Sequence, residues 1–98
     1  MNLPFQTEKT VLDWRQIDNR YLIIYDYMEF PENSPAQNLY AYSPSGAELW
    51  RADAHTTLST DGYTNFISED PLVVGNFAGY NVTIDPENGK ILDSQFTK

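Results

Sequence analysis

The sequence has no cysteine and a single histidine, His55. Without cysteine there can be no disulfide framework, no thiolate zinc site and no cysteine nucleophile. One imidazole is too few for a histidine-rich metal centre, and the acidic residues lack the spacing of a calcium-binding loop. The five glycines stand singly rather than in a phosphate-binding loop. We therefore expect neither a metal nor a cofactor.

Basic residues are also scarce. Six lysines and arginines stand against fourteen aspartates and glutamates, which gives a formal net charge of -8. The imbalance lies in the middle of the chain, because Arg51 is the only base between Tyr21 and Gly89, against ten acids. A negative field repels nucleic acid and anionic lipid and speeds the encounter with basic proteins. We therefore expect a basic protein as partner, and neither nucleic acid nor a membrane. The alternative is that the acidity serves solubility alone.

Long apolar runs are missing as well. The longest covers residues 21–25 and is far too short to cross a bilayer. The first residues lack the basic and then apolar stretch of a signal peptide. With 98 residues, the chain is long enough for one modest core. These features predict a single cytoplasmic domain that spans residues 1–98.

Alternating apolar and polar residues run through the chain, whereas helical periodicity is nearly absent. This pattern predicts an all-β fold of seven or eight mostly antiparallel strands, in a meander that forms a sandwich or a rolled barrel. Segment 20–28 is apolar on both faces, so both faces should be buried. Helix should be limited to one turn, near the N-terminus or within 56–59. The predicted strands are 11–17, 20–28, 38–43, 47–52, 63–67, 72–77, 80–85 and 90–96.

The segment 29–37 contains Pro31 and Pro35 and is predicted to form an exposed loop. The apolar positions of the strands give a candidate core. Its predicted members are Ile23, Ile24, Leu39, Leu49, Val74, Val82 and Ile84.

A turn-centred pattern occurs twice, in residues 38–50 and 81–92. Each copy is an apolar strand, a turn with proline and glycine, and a second apolar strand. The turn glycines, Gly46 and Gly89, lie 43 residues apart, close to the length of one propeller blade. We expect both turns to be hairpin tips.

The two hairpins resemble those of pyrroloquinoline-quinone-type propeller blades, in the segments Tyr40–Trp50 and Ile84–Leu92. Two blade-sized units are too few to close a propeller, so the resemblance implies no cofactor site. The whole chain is similar to small bacterial proteins that look like immunity proteins, which neutralise toxins. This second resemblance implies that the protein is an inhibitor of a toxin.

Two carboxylates suggest acid–base chemistry. Asp26 lies on strand 20–28, where burial would raise its pKa as in a catalytic acid, although we expect it at the exposed end of the strand. Asp53 and His55 lie close together among hydroxyl side chains, which is compatible with a small hydrolase. The Gly-x-Ser-x-Gly turn of such enzymes is absent from the sequence.

Aromatic residues are abundant, with seven tyrosines, five phenylalanines and two tryptophans. Some should form cross-strand pairs in the sheets. Others can anchor an interface, because tyrosine and tryptophan bury a large area with few rotatable bonds. Tyr63 is the aromatic residue that we most expect to be exposed, with acids around it.

The first hypothesis is therefore a non-enzymatic binding protein, an acidic immunity or inhibitor protein that occludes a basic partner such as a toxin nuclease. The alternatives are the hydrolase at Asp53 and His55 and a structural β module that self-associates through its edge strands. No residue is assigned a catalytic role in the first hypothesis. Its predicted contact residues are Asp53, His55, Asp61, Tyr63, Glu69 and Asp70, with Glu29 and Glu32 as the rim.

Overall fold

A computed structural model describes residues 3–97 of the protein and contains eight strands. The only helical element in this range is a single 3-10 turn, Tyr27–Glu29. The prediction of an all-β fold is confirmed. The strands are β1 (Val11–Ile17), β2 (Arg20–Tyr25), β3 (Leu39–Tyr42), β4 (Glu48–Arg51), β5 (Tyr63–Glu69), β6 (Leu72–Asn76), β7 (Tyr80–Ile84) and β8 (Ile91–Phe96).

The strands form two four-stranded sheets, in the orders β1-β2-β3-β4 and β5-β6-β7-β8. Every pairing is antiparallel and joins strands that are neighbours in the sequence. The sheets pack through a shared apolar core, so the molecule is a sandwich rather than a closed barrel. No helix within residues 3–97 is long and apolar enough to cross a membrane.

The two repeated hairpins form the third and fourth strands of their sheets, β3–β4 and β7–β8. Both predicted turns are hairpin tips, and their glycines have positive φ angles, +88° at Gly46 and +77° at Gly89. Only glycine adopts this backbone region without a steric penalty. At Gly89 there is a second reason, because an added Cβ would lie 2.4 Å from Cε3 of Trp50. The second hairpin tip is therefore a packing surface for the indole ring.

The core between the sheets contains most of the predicted core residues. Five of them belong to this cluster and are almost fully buried: Ile24, Leu39, Val74, Val82 and Ile84. The prediction for Leu49 is wrong, since its side chain is 48 % exposed. A β-bulge explains the error, because Tyr42 pairs with Glu48 while Ala41 pairs with Trp50. The extra residue shifts the alternation, and Trp50 takes the inward position.

A second buried cluster lies on the opposite face of the first sheet. It contains Ile23, which is fully buried, together with Tyr25, Tyr40 and Tyr42. The hydroxyl groups of Tyr25 and Tyr42 are hydrogen-bonded at 2.7 Å. Half-buried side chains complete the cluster: Leu3, Phe5, Val11, Trp14 and Phe30. The expectation that β2 is buried on both faces is confirmed. The N-terminal residues Leu3 and Phe5 cover part of the face that lies away from the other sheet.

The predicted strand 20–28 ends early, at Tyr25. Asp26 is half-buried and caps the 3-10 turn, since its carboxylate accepts the backbone N–H of Met28 at 2.9 Å. The single helical turn therefore lies at 27–29, and the prediction that placed it near the N-terminus or within 56–59 is wrong. Most of the segment 29–37 is exposed, as predicted, but Ala36 is buried.

Candidate functional site

The predicted contact residues separate into two groups. Asp53, His55 and Asp61 lie in the loop between β4 and β5, whereas Glu69 ends β5 and Asp70 follows it. A strand of this length spans about 20 Å, so Glu69 and Asp70 lie at the opposite end of the sheet from that loop. Glu69 contacts Arg15 there, at 3.5 Å. The structure does not bring the six residues into one surface.

Tyr63 is the first residue of β5, and the prediction that it is exposed is wrong. Its side chain is only 1 % exposed, and its hydroxyl donates a hydrogen bond to the carbonyl oxygen of Asp53 at 2.6 Å. A phenol can be buried when its hydroxyl finds such a partner. Tyr63 holds the loop against the core and offers no surface to a partner.

Alkaline pH should reveal this burial. Burial, with the nearby Asp61 and Asp53 carboxylates, raises the pKa of Tyr63. Because an unfolded tyrosine ionises near pH 10, the folded state gains stability that is fully present below about pH 10 and is lost as the pH rises toward the raised pKa. Urea titrations from pH 8 to 11 should show a falling midpoint, and a smaller fall in Tyr63→Phe. An equal fall in both proteins would contradict the burial of this hydroxyl.

Asp61 is buried, with 4 % of its surface exposed, and it holds two segments together. Its carboxylate accepts the hydroxyl of Thr56 at 2.5 Å, in the same loop, and the backbone N–H of Ala78 at 3.0 Å, in the turn between β6 and β7. The amide of Asn76 adds a weaker contact at 3.4 Å. Asp61 was predicted as a contact residue, but it is buried and forms a fixed part of the loop structure.

His55 is half-buried and contacts Asn76 and Tyr80. The side-chain oxygen of Asn76 accepts the N–H of Tyr80 at 2.8 Å, which leaves its NH₂ group 3.3 Å from Nδ1 of His55. Since an amide NH₂ only donates, Nδ1 of a neutral His55 accepts and Nε2 carries the proton. Asp53 is exposed. Among the described residues, the imidazole of His55 is hydrogen-bonded to the side chain of Asn76 and not to the carboxylate of Asp53. No group of three His, Cys, Asp or Glu side chains in this range could hold a metal ion.

Large apolar side chains are exposed on the segments beside this loop. Met28 is 73 % exposed, Phe77 56 % and Leu58 56 %. The ring of Tyr27 lies 5.7 Å from that of Phe77 and packs over Gly62. We call Tyr27, Met28 and Phe77 the apolar patch. It joins the 3-10 turn to the turn between β6 and β7.

A surface groove adjoins the apolar patch, and the volume within it that is accessible to water is about 50 Å³. One wall is the 3-10 turn and the segment after it, and the other is the end of the β4–β5 loop. Glu32 lines the first wall, and Ser59 and Thr60 line the second. The remaining lining residues are Tyr27, Met28, Phe30, Pro31, Ala36 and Asp61.

Two exposed acidic side chains belong to the segment that forms the first wall of the groove. Glu32 is exposed at its edge, and Glu29 is exposed on the 3-10 turn next to Met28. Glu29 accepts hydrogen bonds from the hydroxyl and the N–H of Thr10, and these bonds lower its pKa, so it remains charged at neutral pH. Lys9 is a neighbouring base, with its ammonium 5.2 Å from the centre of the Phe30 ring. Glu32 therefore lines the groove, whereas Glu29 follows the lining residue Met28 in the chain and directs its carboxylate toward Thr10.

Sequence reasoning missed the apolar patch because its members belong to different segments. Tyr27 and Met28 were assigned to a strand, as was Phe77, and no periodic pattern connects residues fifty positions apart. The signal in the sequence was local: the aromatic and sulfur-containing side chains at 27–30 stand next to Pro31, in a segment that cannot continue as a strand.

A family model described as a domain of unknown function, DUF7957, matches residues 3–96. No curated protein matches the chain.

Proposed function

The chain belongs to the DUF7957 family, and we propose that it is a non-enzymatic binding domain that docks on a basic protein through the apolar patch and the adjoining groove. The observation that carries the proposal is the exposure of Met28, which lines the groove together with the acidic Glu32, and of Phe77, whose ring contacts that of Tyr27. An apolar centre with a polar rim is the usual anatomy of a protein interface. Clustered exposed apolar side chains often mark such surfaces.

The two components have different roles in binding. Met28 has a flexible, polarisable side chain that adapts to the surface of a partner, and Phe77 adds a rigid aromatic ring. Burying these side chains would slow dissociation, because most affinity differences appear in the off-rate. Glu29 and Glu32 would raise the on-rate toward a basic surface through long-range attraction.

We propose further that docking blocks the partner, as in an immunity or inhibitor protein. The charge of the chain favours a partner with a positively charged cleft. The ten acids between Tyr21 and Gly89 create a negative field, and this field attracts such a cleft. A nuclease that binds phosphates has a cleft of this kind. Inhibition by occlusion needs only complementary shape and charge from the inhibitor.

The first experiment identifies the partner with matched variants. The whole chain is immobilised, incubated with lysate of its source cells, and the retained proteins are identified by mass spectrometry. Met28→Ala with Phe77→Ala should lose a basic protein that the unchanged chain retains. Leu49→Ala removes a comparably exposed apolar side chain outside the apolar patch and should retain that protein. Retention by the patch variant would overturn the proposal.

Kinetics with the retained protein test the two roles separately. Met28→Ala should raise the off-rate about tenfold, which corresponds to about 1.4 kcal/mol. Glu32→Lys should lower the on-rate and flatten its salt dependence. Asp70→Lys is the control, because Asp70 is an exposed acid at the other end of β5. If Asp70→Lys slows association more than Glu32→Lys, the partner docks elsewhere.

A further inference from the structure

The two sheets differ in how their edges are protected. β1 and β5 are edge strands that lie against each other, since the N–H of Phe66 donates to the carboxylate of Asp13 at 3.0 Å and Arg15 contacts Glu69. β4 and β8 are the other two edges, and no strand within residues 3–97 pairs with their outer sides. An unpaired edge offers backbone hydrogen-bonding groups to another strand.

β4 has the features that protect an edge. It is only four residues long, it contains the charged residues Glu48 and Arg51, and the bulge at Leu49 interrupts its alternation. Short length, charge and bulges all discourage the addition of a strand. β8 is six residues long, contains one charged residue, Asp93, and has no proline. It also has a bulge, at Leu92 near its start, but residues 93–96 pair with β7 in regular register. β8 is therefore the less protected edge.

The backbone of β8 presents defined groups to the outside. The N–H of Thr97 donates to the carbonyl of Gly79 at 2.9 Å, on the side of β7. Because N–H and C=O directions alternate along a strand, Asp93 and Gln95 also face β7. Ser94 and Phe96 consequently direct their N–H and C=O groups away from the sheet.

We propose that β8 is a self-association site, where a second copy of the chain adds its own β8 in antiparallel orientation. Two copies related by a twofold axis would join their β5–β8 sheets into one continuous sheet. This inference is independent of the apolar patch and of the proposed basic partner. It assigns an occupant to the edge of the second sheet that no strand within residues 3–97 covers.

The side chains of β8 favour one register. With Ser94 opposite Ser94 of the second copy, Gln95 lies opposite Asp93 of the second copy, and Phe96 extends toward the bulge residue Leu92 of that copy. Leu92 is 62 % exposed and Phe96 58 % exposed, so this register brings exposed apolar side chains of the two copies near each other. A register centred on Asp93 would place two carboxylates opposite each other, which is unfavourable.

Charge also favours a second copy at this edge. Residues 21–89 carry ten acids and one base, so most surfaces of two copies repel each other. Residues 90–98 carry two bases, Lys90 and Lys98, and one acid, Asp93. Like-charge repulsion between copies is therefore weaker along β8 than across the acidic middle of the chain.

The association itself is tested by sedimentation of the whole chain from about 1 μM to 1 mM. The unchanged protein should shift from monomer to dimer with rising concentration. Leu92→Lys should weaken the dimer at least tenfold. Leu49→Lys introduces the same charge on the other open edge and should leave the dimer intact. Ser94→Pro removes an outward N–H without breaking the β7–β8 ladder, and it should also abolish the dimer. A protein that stays monomeric, or a dimer that survives both β8 variants, would overturn the proposal.

Cysteine cross-linking tests the register, because the natural chain has no cysteine. In a directly opposed, hydrogen-bonded pair the Cα atoms are about 5.5 Å apart, within reach of a disulfide. Ser94→Cys should form a covalent dimer under mild oxidation, whereas Leu49→Cys should not. Cross-linking through Leu49→Cys without cross-linking through Ser94→Cys would place the interface at β4 and contradict the proposal.

Discussion

Replacing Asn38 with alanine should destabilise the fold by about 3–5 kcal/mol, because it leaves several buried backbone groups without partners. Asn38 is fully buried and lies just before β3. Its side-chain NH₂ group donates to the carbonyl oxygens of Tyr25 and Tyr63, at 2.7 and 2.8 Å. Its side-chain oxygen accepts the N–H of Tyr63 at 2.9 Å. One amide therefore connects the end of β2 in the first sheet to the start of β5 in the second.

Urea denaturation measures this loss, and two further variants locate its origin. Asn38→Asp keeps the oxygen that accepts from Tyr63 but removes both donated hydrogen bonds, so we expect a loss as large as that of the alanine variant. Asn33→Ala changes an exposed asparagine in the segment 29–37 and should change stability by less than about 0.5 kcal/mol. A loss below about 1 kcal/mol for Asn38→Ala would mean that water replaces the amide.

Replacing Ile24 with alanine should cost about 2–5 kcal/mol, the usual penalty for removing a large aliphatic side chain from a packed core. Ile24 is fully buried between the sheets. Loss of its side chain removes apolar surface from the core and leaves a cavity that neighbours fill only in part. A cost of this size is a large share of the stability of a small domain.

Leu49→Ala is the matched control for this prediction. Both residues are aliphatic and lie in the same sheet, but Leu49 is the bulge residue of β4 and is 48 % exposed. Its truncation should therefore cost less than about 1 kcal/mol. Equal losses for Ile24→Ala and Leu49→Ala, measured by urea denaturation, would show that the bulge does not turn Leu49 out of the core.

The sequence shows that the segments near the groove contain acidic residues, but it does not show which of these residues are exposed and which are buried. The sequence predicts Glu29 and Glu32 as a rim; both are exposed, and Glu32 lines the groove. Asp61 was predicted as a contact residue, yet it is buried and hydrogen-bonded to Thr56 and Ala78. A carboxylate on a polar loop can be solvated or can tie that loop to another segment, and composition does not distinguish the two.

The sequence by itself determined the strands and the hairpins of this protein. Alternation along β1 to β8 depends on neighbouring residues, and the turns at Gly46 and Gly89 depend on local backbone geometry. Such features are encoded within a few positions, so strand positions and most core residues could be predicted.

Only the tertiary structure decided which segments meet. The bulge that exposes Leu49, the carbonyl that allows Tyr63 to be buried and the three hydrogen bonds of Asn38 all depend on partners in other segments of the chain. The apolar patch likewise exists because packing of the sheets brings Tyr27 and Phe77 together. These contacts join residues that are far apart in the chain, and the physical reason they escaped prediction is that local periodicity carries no information about which sheet faces which.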